Sequence, residues 1–158
     1  AVAADVSDAT LDSLAAAGVR GVRMAHFEPG DARARGGFVP FSNFNALDAR
    51  LHARQMHLQL FTDSRLLPGI ADRLTASRVP VVIDHFGRVQ AAGGLDSPGC
   101  RALLGTLASE NCWAKLSAPY FVSDEFPDYA DIGPIAHAML VRAADRLLWG
   151  TDWPHASA

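Results

Sequence analysis

This sequence predicts an α/β fold built on a parallel sheet, and three observations carry the expectation. Five apolar runs of strand length punctuate the chain, and helical patterns fill the gaps between them, at about 25–35 residues per strand–helix unit. Several of the runs are apolar at consecutive positions, as strands covered on both faces require. Ionisable and hydrogen-bonding residues gather just after the runs, whereas the segments before them read as ordinary helix ends ("AAAG", "ARQ", "ASRVP"). The right-handed crossover rule then leaves a doubly wound open sheet or a (β/α)8 barrel. Both place their chemistry at the C-terminal ends of the strands.

The elements follow in chain order. "AVAA" reads as the tail of a strand, and "SDATLDSLAAAG" as a helix with Ser7 or Asp8 as N-cap and Gly18 just past its end. "GVRGVRM" (18–24) is the first full strand run. Residues 26–43 form a long Gly-containing loop, basic at Arg33 and Arg35, which reads either as a lid or binding loop or as a plain solvated surface loop. "NALDARLHARQ" is a helix with Leu47 and Leu51 on one face, and "HLQLF" (57–61) is a strand. "RLLPGIADRLTAS" is helical, with Leu66, Ile70 and Leu74 at i, i+4 spacing, and "VPVVIDHF" (79–86) is a buried strand. "SPGCRALLGTLASEN" is a helix with Ser97 as cap and Pro98 at its first position, followed by the strand "CWAKLS" (112–117). "DIGPIAHAMLVRAAD" is a helix carrying Arg142 in its last turn, and "RLLWGT" (146–151) is a strand buried through Leu147, Leu148 and Trp149.

A chain of 158 residues suits one domain, 1–158, with its own core. A net charge of −3 speaks against a nucleic-acid surface, and no apolar run approaches the roughly 20 residues of a membrane span. The expected partner is therefore a small molecule, with no nucleic acid and no membrane; the sequence does not specify an oligomeric state. No secretory signal is visible, and Cys100 and Cys112 lack zinc-ligand spacing and read as reduced thiols, so the expected location is cytoplasmic. No G-x-G-x-x-G follows the first strand, which speaks against dinucleotide binding.

The strand ends carry the candidate chemistry. They hold Arg23 and His26; Thr62, Asp63 and Ser64; Asp84, His85 and Arg88; Lys115, Ser117 and Tyr120; and Asp152, Trp153 and His155. Any one of these is an ordinary cap or core residue, but a parallel sheet forces them into one region. In "VVIDHFGR" the adjacent Asp84 and His85 are expected on opposite faces, with His85 the site member. Arg23, in an otherwise apolar strand, needs an anion, either a protein carboxylate or a substrate carboxylate. Asp152 either caps a turn or acts as a base or metal ligand.

"VPVVIDHFGR", "CWAKLSAPYFVS" and "DRLLWGTDWPH", in this order, resemble the amidohydrolase superfamily, in its amidohydrolase-related branch that includes 2-pyrone-4,6-dicarboxylate lactonase. The resemblance runs over nearly the whole chain. It implies a (β/α)8 TIM-barrel fold, here incomplete at about six of eight units. It implies hydrolysis of a small carboxylated lactone or ester, with Asp152 activating water and His85 polarising the carbonyl. Arg23, Arg88, Tyr120 and Ser117 become substrate-binding candidates. Cofactors implied are none, or one divalent metal, zinc or manganese, held by Asp152 and His85.

Two departures stand out. The superfamily's first-strand His-x-His occurs nowhere, and the arginine that often follows the tyrosine of KLSxPY is Phe121 here. The first departure reads as a fragment lacking the N-terminal strand, and the second argues against a dicarboxylated pyrone. The alternative function is a non-catalytic carboxylate-binding fragment or pseudoenzyme. A third reading, an unrelated doubly wound domain, would place Asp152 and His85 far apart.

Overall fold

The computed structural model describes residues 2, 5–28, 30–31 and 39–155. Six parallel strands form one sheet in the order β2-β1-β3-β4-β5-β6. They are β1 (Gly21–His26), β2 (Val39–Pro40), β3 (His57–Thr62), β4 (Val81–Ile83), β5 (Cys112–Leu116) and β6 (Leu147–Trp149). Five helices connect or precede them: α1 (Asp8–Ala16), α2 (Phe44–His52), α3 (Ala71–Thr75), α4 (Pro98–Thr106) and α5 (Gly133–Ala143).

The caps predicted from sequence form. Ser7 Oγ accepts the Thr10 N–H, and Ser97 Oγ accepts the Cys100 N–H with Pro98 opening α4. Gly18 follows α1 at φ 93°, a left-handed value that glycine takes without a Cβ clash. The third helix differs from expectation. Pro68 cannot donate to an α-helical ladder, so residues Ser64–Gly69 wind as a 3-10 helix before α3 begins. The tighter winding turns Leu67 into the core beside Ile70 and Leu74, and leaves Leu66 half-buried.

Strand register explains the core. Val22, Leu58, Val81 and Cys112 stand in one row, and Met24, Leu60, Ile83, Ala114 and Leu147 in the next. Both rows join a single apolar cluster to which all five helices contribute, through residues such as Leu11, Leu51, Leu74, Leu103 and Met139. The intervening positions are different. Arg23 registers with Gln59, and Lys115 with Leu148, on the opposite face of the sheet. The expectation of strands apolar on both faces therefore holds for β4, all of whose residues are buried, but not for β1, β3 and β5, which alternate. Helices cover one face; the other is polar and half-open.

Two further expectations change. β6 pairs with β5 alone among the described residues and is an edge strand, so Trp149 is 81% exposed rather than buried. Apart from Val2, "AVAA" lies outside the described residues; the sixth strand of the described sheet is the two-residue β2, inside the segment 26–43 expected to be one long loop. Arg33 and Arg35 lie outside the described residues. Both cysteines are buried free thiols, and burial pushes Cys112 up to about 11. No helix among the described residues is long and apolar enough to cross a membrane.

Candidate active site

The polar face begins with Asp84, which is 1% exposed. A carboxylate so buried needs donors, and three strands supply them. From β1, Arg23 donates through Nε at 2.9 Å and brings Nη2 within 2.7 Å of Oδ2. From β3, Gln59 Nε2 donates to the same oxygen at 2.7 Å. From β5, Lys115 Nζ lies 3.0 Å from Oδ1. This ion pair falls outside strict hydrogen-bond angles, yet at 3.0 Å it is the Coulomb partner of an oxygen otherwise without one. Arg23 has thus found a protein carboxylate, one of the two anions its sequence context demanded.

His85 enters the same region, against the expectation that the pleat would send it away from Asp84. β4 ends at Ile83, so no pleat governs the next residues. Asp84 is still extended, but His85, Phe86, Gly87 and Arg88 all take left-handed φ between 52° and 60°. Such a run is costly for residues with a Cβ, and it turns the imidazole back over the sheet. His85 Nε2 comes to 3.4 Å from Arg23 Nη2, and Nδ1 to 2.9 Å from Ser117 Oγ. A guanidinium can only donate, so Nε2 is the lone-pair nitrogen here and Nδ1 carries the proton towards Ser117. Burial holds the imidazole below its usual range; Asp84 and Asp152 oppose the shift, and Arg23 and Lys115 add to it. Burial thus favours the neutral ring over the imidazolium.

Asp152 follows β6 at φ 60° and reaches the same point from the far side of β5. Its Oδ1 lies 3.9 Å from His85 Nε2, and its Oδ2 accepts from the Tyr120 hydroxyl at 2.5 Å. The Tyr120 phenol is pushed up to about 12, by burial first and then by Asp152, so it remains a donor. Arg23, Gln59, His85, Lys115, Ser117 and Asp152 line one polar cavity of about 480 Å³. A roomier cavity of about 570 Å³ shares Ser117, Trp149 and Gly150 with it and carries apolar side chains such as Phe86, Leu116 and Phe126 beside Tyr120 and His155.

Five of the six sequence candidates meet here: Asp152, His85, Arg23, Tyr120 and Ser117. Arg88 is placed elsewhere, its guanidinium carbon 4.4 Å over the Phe121 ring and 5.6 Å from that of Phe61, beside a small cavity lined by Asp63, Ser64 and Gln90. Phe121 also flanks His85, at 5.5 Å between centroids. The other strand-end residues serve local structure: Asp63 caps the 3-10 turn and binds Arg65, and Thr62 donates to the His26 carbonyl. Gln59 and Lys115 were not assigned to the site from sequence. Their signal was polar residues at alternating positions of otherwise apolar strands, and Lys115 also stood among the strand-end residues.

His85 and Asp152 supply two metal donors, and among the described residues no group of three or more His, Cys, Asp or Glu is placed to hold a metal ion. With the Arg23 cation 3.4 Å from His85 Nε2, these residues do not make up a zinc or manganese centre by themselves.

A carboxylate and an imidazole converge at the C-terminal rim of a parallel β/α sheet, the rim where β/α-barrel folds carry their active sites. Comparison with known proteins gives the family. The family model described as Amidohydrolase matches residues 2–158, and this chain belongs to that family. It is 32% identical to 4-sulfomuconolactone hydrolase of Hydrogenophaga intermedia, over 98% of this chain and 50% of that protein. It is 33% identical to 2-pyrone-4,6-dicarboxylate hydrolase of Comamonas testosteroni, over 95% of this chain and 50% of that one. A solved Agrobacterium tumefaciens structure superimposes with TM-score 0.80 at 30% identity, over 99% of this chain and 55% of its own. A zinc-bound Burkholderia multivorans amidohydrolase shares the fold, with TM-score 0.65 at 23% identity. The chain spans about half the length of the curated relatives it matches, and its six-stranded sheet corresponds to part of their barrel.

Proposed function

We propose that this chain carries the carboxylate, imidazole and anion-binding side of an active site that opens a small acid-bearing lactone by hydrolysis. The observation that supports the reading best is the approach of Asp152 Oδ1 to His85 Nε2 at 3.9 Å, from the ends of two strands that are not neighbours. The similarity to two lactone hydrolases supports a lactone as the substrate class.

In this reading Asp152 is the general base. Tyr120 engages Oδ2 and leaves Oδ1 turned towards the gap beside His85, where a water fits against the substrate carbonyl. Water gives its proton to Oδ1 as its oxygen bonds to the carbonyl carbon. The tetrahedral oxyanion is held by Arg23, whose guanidinium donates in every protonation state. His85 can add a second donor once the carbonyl oxygen displaces its contact with Arg23, because the Ser117 hydroxyl donates as readily as it accepts and supports either tautomer. Collapse of the intermediate breaks the ring C–O bond, and the proton on Asp152 passes to the leaving alkoxide. No step is routed through a metal.

The test is Asp152→Asn, assayed with muconolactone and 2-pyrone-4,6-dicarboxylate by acid release at constant pH. The expected result is a loss of about 10³-fold in kcat, within the range for removing a catalytic base, with circular dichroism and melting nearly unchanged. Unchanged turnover removes Asp152 as the base.

A further inference from the structure

We propose that Arg88 is a positioning residue for the imidazole: it locks Phe121 and Phe61 against His85 and so holds the strained turn that aims the ring at Asp152. The kinetic consequences rest on the hydrolase reading; the placement of the ring does not. His85, Phe86 and Arg88 take φ of 52°, 53° and 55°, values that cost a residue with a Cβ, and Gly87 among them stands at 60°. Such a run persists only where its surroundings over-determine it. Part of the restraint is packing at Gly87, where an added Cβ would meet Leu67 and Leu103 side chains at 3.2 Å. The rest comes from β3 and from the segment that follows β5.

Two rings bracket His85. Phe121 lies 5.5 Å from it between centroids, tilted by 58°, and Phe61 stands edge-on at 5.7 Å and 87°. Arg88 joins those two rings, with its guanidinium carbon 4.4 Å from the centre of Phe121 and 5.6 Å from that of Phe61. A cation over an aromatic face is attracted to it, and a planar guanidinium can also stack there. The neighbouring chain follows the same line. Gln90 Nε2 donates to the Phe121 carbonyl at 3.0 Å, and the Ala91 N–H to the Val122 carbonyl at 2.7 Å. The turn after β4 is thus laced to the segment after β5, from which Ser117 reaches His85 and Tyr120 reaches Asp152. Arg88 itself lines a cavity of about 290 Å³ with Asp63, Ser64, Arg65 and Gln90, which shares none of its described lining residues with the catalytic one. Its route to the chemistry therefore runs through the two rings. Misplacing a reacting group by about 1 Å can cost about 10²-fold in rate, so a loosened collar is enough to register in kcat.

Arg88→Met, Phe121→Leu, Phe121→Tyr and the double variant of the first two test this in the full chain. Kinetics use muconolactone and 2-pyrone-4,6-dicarboxylate; nitrogen NMR of the histidine rings at about pH 8 reads the tautomer of His85 without substrate. Arg88→Met is expected to lower kcat about tenfold with KM within about twofold. Phe121→Leu should do the same, and Phe121→Tyr, which keeps the ring, should stay within about twofold of wild type. Because Arg88 acts through Phe121, the double variant should fall no more than about twofold below the worse single one. In the NMR, wild-type His85 shows a protonated Nδ1 and an unprotonated Nε2. In Arg88→Met and Phe121→Leu both signals move towards the averaged values of a free neutral imidazole, while His57, at the start of β3, keeps its shifts. A raised KM at unchanged kcat in Arg88→Met makes Arg88 a substrate grip and overturns the lock. So do unchanged His85 signals in Arg88→Met, or equal movement at His57. Should Arg88→Met not fold, a folded Phe121→Leu with wild-type kcat and wild-type His85 signals overturns it as well. A wild-type chain that opens neither lactone refutes the hydrolase reading, and the His85 signals then decide the lock alone.

Discussion

Asp84→Asn is the perturbation that tests the polar face most directly. Asp84 is 1% exposed, and its two oxygens take donors from β1, β3 and β5, so it ties three strands across the uncovered face of the sheet. Asparagine keeps the shape but replaces one acceptor with an NH₂. Whichever way the amide turns, a donor then faces either Lys115 or the Arg23–Gln59 side, and two cations are left without their counter-charge. Breaking a buried ion pair by removing one partner costs about 3–5 kcal/mol. Arg23 and Lys115 each keep about 30% side-chain exposure, so water recovers part of that. The expected loss is about 2–3 kcal/mol. With a urea dependence of about 2 kcal/mol per molar, the unfolding midpoint falls by about 1–1.5 M. Adding Lys115→Met to Asp84→Asn should cost less than the sum of the two single changes, because the second removes a cation the first has orphaned. A midpoint shift below about 0.3 M, or strict additivity, refutes the account of Asp84 as the hub of this face.

Ser117→Ala removes the hydroxyl that supports either tautomer of His85. Turnover should fall about tenfold while stability drops by about 1 kcal/mol, read from kcat and urea unfolding of the same preparation; a larger loss of stability than of rate would make Ser117 a packing residue. The pH dependence follows from His26, His57 and His85, all lowered from 6.5 mainly by burial. Between the depressed folded values and 6.5 the unfolded chain binds more protons than the folded one, so stability rises with pH through that window and is lost as pH falls below it. Urea midpoints should be flat from pH 8 to about 7 and decline towards pH 5, and His85→Asn should shallow the decline; a midpoint that rises on acidification contradicts the sign.

Much of the scaffold was legible because local rules wrote it. Ser7, Ser97 and Pro98 mark helix starts through backbone hydrogen bonding alone, and each sits where its chemistry predicts. The converging strand ends could also be anticipated, since a parallel sheet leaves them one rim. The misreadings have non-local causes. Trp149 looked buried because an apolar triplet does not reveal whether a neighbouring strand exists on its far side. The i, i+4 spacing points to Leu66, but Pro68 tightens the winding to a 3-10 helix and puts Leu67 in the core instead. β2 was invisible, since two residues carry no periodicity.

The sequence by itself determined the element order, the parallel sheet and the set of groups brought to one rim, because caps, apolar runs and crossover handedness act over short stretches of chain. Tertiary structure alone decided which of those groups share a cavity. The four left-handed residues after β4 put His85 beside Asp84 rather than opposite it, and set Arg88 apart against Phe121. Asp84, Gln59 and Lys115 became one charge network because parallel pairing aligned residues that lie 25 and 31 positions apart. That alignment is a property of register, which no single strand contains.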